Sequence, residues 1–82
     1  MRGIIVAVNY QRGLAVFEDA SGDYGYFEIL GSDDLEKDDI ISGNLHNLGR
    51  KIIVKLETGD KIDVFIEDWG MSHKAALEMV FS

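Results

Sequence analysis

Gly3-Ile4-Ile5-Val6-Ala7-Val8-Asn9-Tyr10-Gln11-Arg12-Gly13-Leu14-Ala15-Val16-Phe17 is the stretch whose reading decides the fold. An apolar, β-branched run enters a polar turn at Asn9, passes Arg12-Gly13, and leaves as a second apolar run. Two such runs joined by a short turn containing Gly predict a tight β-hairpin. Gly3–Val8 is apolar almost without a break, the pattern of a strand covered on both faces.

Outward from this hairpin the chain reads as further short strands separated by turn signals. Leu14–Asp19 is the second strand, and Ala20-Ser21-Gly22-Asp23 a turn of the kind that Gly, Ser and Asp favour. Tyr24–Leu30 is a third strand, with Tyr24, Tyr26 and Glu28 on one face and Phe27 and Ile29 on the other. A polar connection over 31–39 follows, with Leu35 as its only apolar anchor and room for one capped helical turn at its start. Ile40–Leu45 predicts a short strand. Lys51–Leu56 predicts another, with Ile52, Val54 and Leu56 on one face and Lys51, Ile53 and Lys55 on the other. Lys61–Glu67 alternates again, with Ile62, Val64 and Ile66 facing inward. After Trp69-Gly70, Ser72 is placed to cap a helix, and His73, Ala76, Leu77, Val80 and Phe81 fall on one helical stripe. The prediction is a mostly β fold: a small antiparallel barrel of five to six strands with a short C-terminal helix, all one domain over 1–82.

Composition agrees with a folded domain. The chain has 82 residues, 46% of them hydrophobic and 28% charged, enough apolar material for a modest core. It has no cysteine, so neither a disulfide nor a thiolate metal site supports the fold. No apolar run approaches bilayer length, so a membrane partner is not expected and a cytoplasmic location is. The net charge of −7 opposes duplex binding through a broad basic patch, although single strands can be held by stacking with only local positive charge.

The opening hairpin resembles that of cold-shock domains, which are small OB-type barrels. Gly3, Ile5, Val8, Asn9, Arg12, Gly13 and Phe17 fall in step with the family's opening motif, and Leu35-Glu36-Lys37-Asp38-Asp39-Ile40-Ile41-Ser42 is similar to the segment before its fourth strand. The resemblance covers about the first half of the chain. It implies an OB/cold-shock-like barrel core over 1–57, extended by a strand and helix over 58–82, and weak single-stranded RNA or DNA binding through stacked aromatics. This chain departs from the family at the three stacking positions, which here are Ala7, Leu14 and Val16, has Val6 where the family has a lysine, and carries Glu28 where a histidine is expected. Each lost stacking platform removes about 1–3 kcal/mol. Left open, those four apolar residues would form a greasy patch. The helix stripe, led by Leu77, Val80 and Phe81, is therefore expected to cover them, the alternative being a second subunit.

The residues expected to contact a single strand are Tyr10, Arg12, Tyr24, Tyr26 and Lys55. The alternative function is a protein-interaction or regulatory module, its partner having a basic surface or being a second copy joined through a strand edge or the helix. No enzyme activity, cofactor or metal is expected. His46 and His73 lie in different elements without metal-ligand spacing, and Asp33, Asp34, Glu36, Asp38 and Asp39 lack a calcium-loop pattern and read as a solvated loop. Trp69, at the junction of the last strand and the helix, is expected to staple the two together.

Overall fold

The computed structural model describes residues 1–31 and 34–82. Six strands, β1 (Arg2–Asn9), β2 (Leu14–Asp19), β3 (Tyr24–Ile29), β4 (Ile40–Ser42), β5 (Gly49–Lys55) and β6 (Asp60–Met71), are followed by one helix, α1 (His73–Phe81). The sheet closes on itself in the order β1-β2-β3-β6-β5-β4, with β4 returning to β1 and every pairing antiparallel. It is thus two three-stranded meanders joined at β3–β6 and at β1–β4. The segment expected as an addition to the barrel supplies β6, a full stave that completes the closure. Closure is narrow at one seam, where β4 pairs with β1 only over Arg2–Ile4, and β5 pairs with β6 only as far as Ile66.

The inward faces follow from alternation. Ile5, Ala15, Phe17, Phe27, Ile41, Ile53, Ile62, Val64 and Ile66 fill the barrel, with Leu35 and Leu45 buried among them from the connecting loops. Phe17 and Phe27 stack with centroids 5.9 Å apart. Gly25 makes room for them: a Cβ there would lie 2.5 Å from the Phe17 ring and 2.5 Å from the Asp68 carbonyl.

Three irregularities rephase the strands. In β1 the register slips at Val6, between the Ile5–Phe17 and Ala7–Val16 pairs, so Val6 turns outward while Ile5 and Val8 face the core. In β6 one extra residue stands near Glu67, and another near Trp69-Gly70, opposite Gly25. Gly70 takes φ +68°, a conformation costly for a residue with a Cβ.

Two sequence expectations need correction. In β5 the core face is that of Ile53, which pairs with Ile62, while Ile52 and Leu56 are exposed. Lys51 and Lys55 share the Ile53 side, but their stems carry the ammonium groups to oxygen partners: the Leu48 and Arg50 carbonyls for Lys51 and the Asp39 carboxylate for Lys55. The fourth strand stops at Ser42 instead of Leu45, and the described part of the 31–39 connection, 31 and 34–39, holds a turn at Lys37-Asp38. Ser32 and Asp33, where the helical cap was expected, lie outside the described residues.

Gly25→Ala tests the packing directly. The added methyl forces Phe17 or the β6 backbone to shift, and overpacking of this kind costs about 1–3 kcal/mol. Urea denaturation is expected to show a lower midpoint with an unchanged slope.

Candidate functional site

The outward face of β1–β3 is the place that the hairpin resemblance assigns to a ligand. Leu14 and Val16 on β2 are buried there against Ala76 and Val80 of α1, with Val6, Tyr24, Tyr26, Met71 and Leu77 packed around them. The helix therefore covers the patch as expected, though Ala76 takes the place expected of Phe81, which is exposed. Nine residues make a helix too short to persist alone, so its order comes from this docking. Ser72 caps its start, the hydroxyl accepting from the Ala75 N–H at 3.1 Å.

The β1–β2 turn secures the other end. Asn9 donates its side-chain amide to the Val80 carbonyl at 2.8 Å. The Arg12 guanidinium donates to the carbonyls of Met79, Val80 and Ser82 at 3.1, 3.2 and 3.3 Å. These oxygens carry the negative pole of the helix, and a cation there satisfies both the orphan acceptors and the dipole.

The five residues expected to contact a single strand divide between two places. Arg12, Tyr24 and Tyr26 border α1: Tyr24 lies 4.8 Å from the His73 ring, and Tyr26 is half-buried beneath the helix. Burial, then the charges of Glu67 and Asp68, push the Tyr26 phenol above its usual pKa of 10.0, against the opposing pull of Arg12. Tyr10 and Lys55 both reach the 34–39 connection instead. The Tyr10 hydroxyl donates to the Leu35 carbonyl at 2.8 Å, and Lys55 pairs with Asp39 at 3.4 Å. Although burial disfavours the Lys55 charge, its bond to Asp39 and the nearby Glu57 and Glu36 hold its pKa above 10.5.

Trp69 corrects another expectation. It does not staple α1; its ring stacks on His46, with centroids 4.3 Å apart and planes within 15°. His46 Nε2 in turn donates to the buried Asp19 carboxylate at 2.6 Å, which also accepts from the backbone N–H groups of Ser21 and Asp23. Burial opposes ionisation of Asp19, but the His46 hydrogen bond, the two backbone donors and the His46 charge outweigh it and hold the carboxyl below 3.8. The cluster ties the end of β2, the loop before β5 and the bulged end of β6. In the sequence the only local signal near it is the glycine that follows Trp69, and that names none of the partners.

Beside the part of β3 that α1 covers, the outer faces of β3, β6 and β5 carry a second feature that sequence reading missed. Phe65 lies between Glu28 and Arg50 across the strands, and Asp63 lies between Leu30 and Ile52. Arg50 grips Asp63 with two parallel hydrogen bonds, Nε to Oδ1 at 2.9 Å and Nη2 to Oδ2. That grip lowers the Asp63 pKa and raises that of Arg50.

Among the described residues no group of three or more His, Asp or Glu side chains is placed to hold a metal ion. Among the described residues no helix is long and apolar enough to cross a membrane. No protein-family model, curated protein or solved structure matches the chain.

Two outcomes follow. Arg12→Ala removes the cap on α1 and is expected to destabilise the fold by about 1 kcal/mol, with the Ala76 and Val80 amides exchanging faster with deuterium. Asp19→Asn keeps one acceptor but loses the charge, and is expected to cost about 1–3 kcal/mol near pH 6. Because the folded pKa lies below the unfolded one, Asp19 contributes fully above about pH 4 and loses its contribution as pH falls through the folded value. The gap between the wild type and Asp19→Asn in urea midpoint should therefore narrow at pH 3.

Proposed function

We propose that this protein is a non-enzymatic interaction module whose partner is another protein. The observation that carries the reading is that the fold uses Arg12, Tyr24 and Tyr26 itself, at the margin of its own helix. Bases stack on aromatic faces that stand open to solvent. Here Tyr26 is half-buried in the cluster under α1, and Tyr24 lies against His73. The guanidinium that would meet a phosphate is held by helix carbonyls. A net charge of −7 repels phosphate at long range and steers a basic protein toward the surface. The surface depressions over β1, β2 and β4 and along α1 are open and shallow, unlike the enclosed, convergent sites that catalysis uses.

Fluorescence anisotropy with two labelled probes tests the reading. A lysine-rich amphipathic peptide is expected to bind saturably and more weakly as salt rises, while a short mixed-sequence RNA or DNA strand shows no saturable binding at low salt. Saturable oligonucleotide binding that weakens in Tyr26→Ala, or failure of the peptide to bind, overturns it.

A further inference from the structure

We infer that the outer face of β3, β6 and β5, centred on Phe65, is the surface through which this module docks a partner presenting apolar side chains flanked by Lys or Arg. The inference rests on the protein-binding reading above and names where that binding occurs.

Leu30, Ile52 and Phe65 are 43%, 54% and 40% exposed, and the strand register gathers them around one acidic residue. Phe65 and Asp63 are successive outward positions of β6, with Leu30 and Ile52 on either side of Asp63. Three large apolar side chains therefore form a triangle on one sheet face. Ile52 and Phe65 lie on hydrogen-bonded strands, and Leu30, the residue after β3, is tied by its N–H to the Asp63 carbonyl at 2.9 Å, so little ordering entropy remains to be lost on docking.

An unpaired carboxylate in the middle of such a triangle would be costly to cover. Asp63 is not in that condition, because Arg50 neutralises it through a two-point contact that a planar guanidinium makes well. The pair can thus be covered by a partner as a neutral unit. Arg and aromatic residues at the centre of a patch are also the types that most often dominate binding energy.

Charge selects the occupant. Glu28 sits beside Phe65 across the β3–β6 ladder, is exposed, and makes no ion pair among the described residues. With Arg50 and Asp63 cancelling, Glu28 is the acid beside Phe65 left to meet a cation, on a protein whose overall charge is −7. A Lys or Arg next to the partner's apolar anchor satisfies it. A second copy of this chain brings the same acidic excess and fits less well. Nor does the exposed apolar stripe of α1 compete on these grounds: its charged flank is a Lys74–Glu78 pair, with no uncompensated acid.

The experiment uses the full chain and the same lysine-rich amphipathic peptide, with leucine and phenylalanine on its apolar face. Phe65→Ser and Ile52→Ser are each expected to weaken binding about tenfold. Met79→Ser, an equally exposed apolar residue on α1, is expected to leave it unchanged. Glu28→Gln is expected to weaken binding less and to flatten its salt dependence. Circular dichroism and Trp69 fluorescence of each variant establish that the barrel is intact. If the wild type binds but Phe65→Ser and Ile52→Ser bind equally well, the docking face is wrong while the protein-binding reading stands. If the wild type does not bind, that reading fails and takes this surface with it.

Discussion

Closure of the sheet is the constraint on which the rest of this molecule depends. Only three residues of β4 join the second meander to β1, and β6 must pair with β3 on one side and β5 on the other. Once the ring is shut, each strand has one face inside and one outside, and the inside is too small for anything but side chains. Phe17, Phe27 and the isoleucines fill it, Leu35 and Leu45 enter from loops, and Gly25 supplies the missing volume where Phe17 meets β6. What the ring offers another molecule is its outward faces, its loops and the stretches of β1 and β6 that β4 and β5 do not reach.

Those outward faces have different fates. The face of β1–β3 is consumed by α1, whose docking makes both partners stable: the helix gains the order that its length alone cannot give, and Leu14 and Val16 leave water. Arg12 and Asn9 complete the arrangement by meeting the helix carbonyls that nothing within the helix can satisfy. Beyond Tyr26, the face that runs from the end of β3 across β6 and β5 has no such cover. Its apolar residues stay exposed around an internally compensated ion pair, which is the physical basis for assigning recognition to it.

Much of this was legible in the amino-acid order. β2 and β3 run over residues expected from their turns and alternation, Ser72 caps the helix, and Ile62, Val64 and Ile66 face inward. The unbroken apolar run of β1 has its reason: one side lines the core and Val6, shifted by the bulge, lies in the outer cluster. β5 was harder, because Ile52 and Ile53 are equally apolar neighbours and period-two alternation cannot choose between them. The Ile53–Ile62 pairing chooses, and the flanking lysines, which argue for solvent in a pattern, reach oxygen partners from the inward side.

What the sequence by itself determined is local: where the chain turns, which residues alternate, where a helix begins, and that an apolar hairpin face must be covered. These follow from backbone conformational preference and from the cost of exposing apolar surface, both readable within a few residues. Only the tertiary structure decided which distant groups meet. Asp19, His46 and Trp69 come together from three elements, and Arg12 reaches the end of a helix 67 to 70 residues away in sequence. Arg50 and Asp63 neutralise each other inside a triangle whose corners come from β5, β6 and the residue after β3. Such contacts depend on register and closure, properties of the whole ring that no short window of the chain contains.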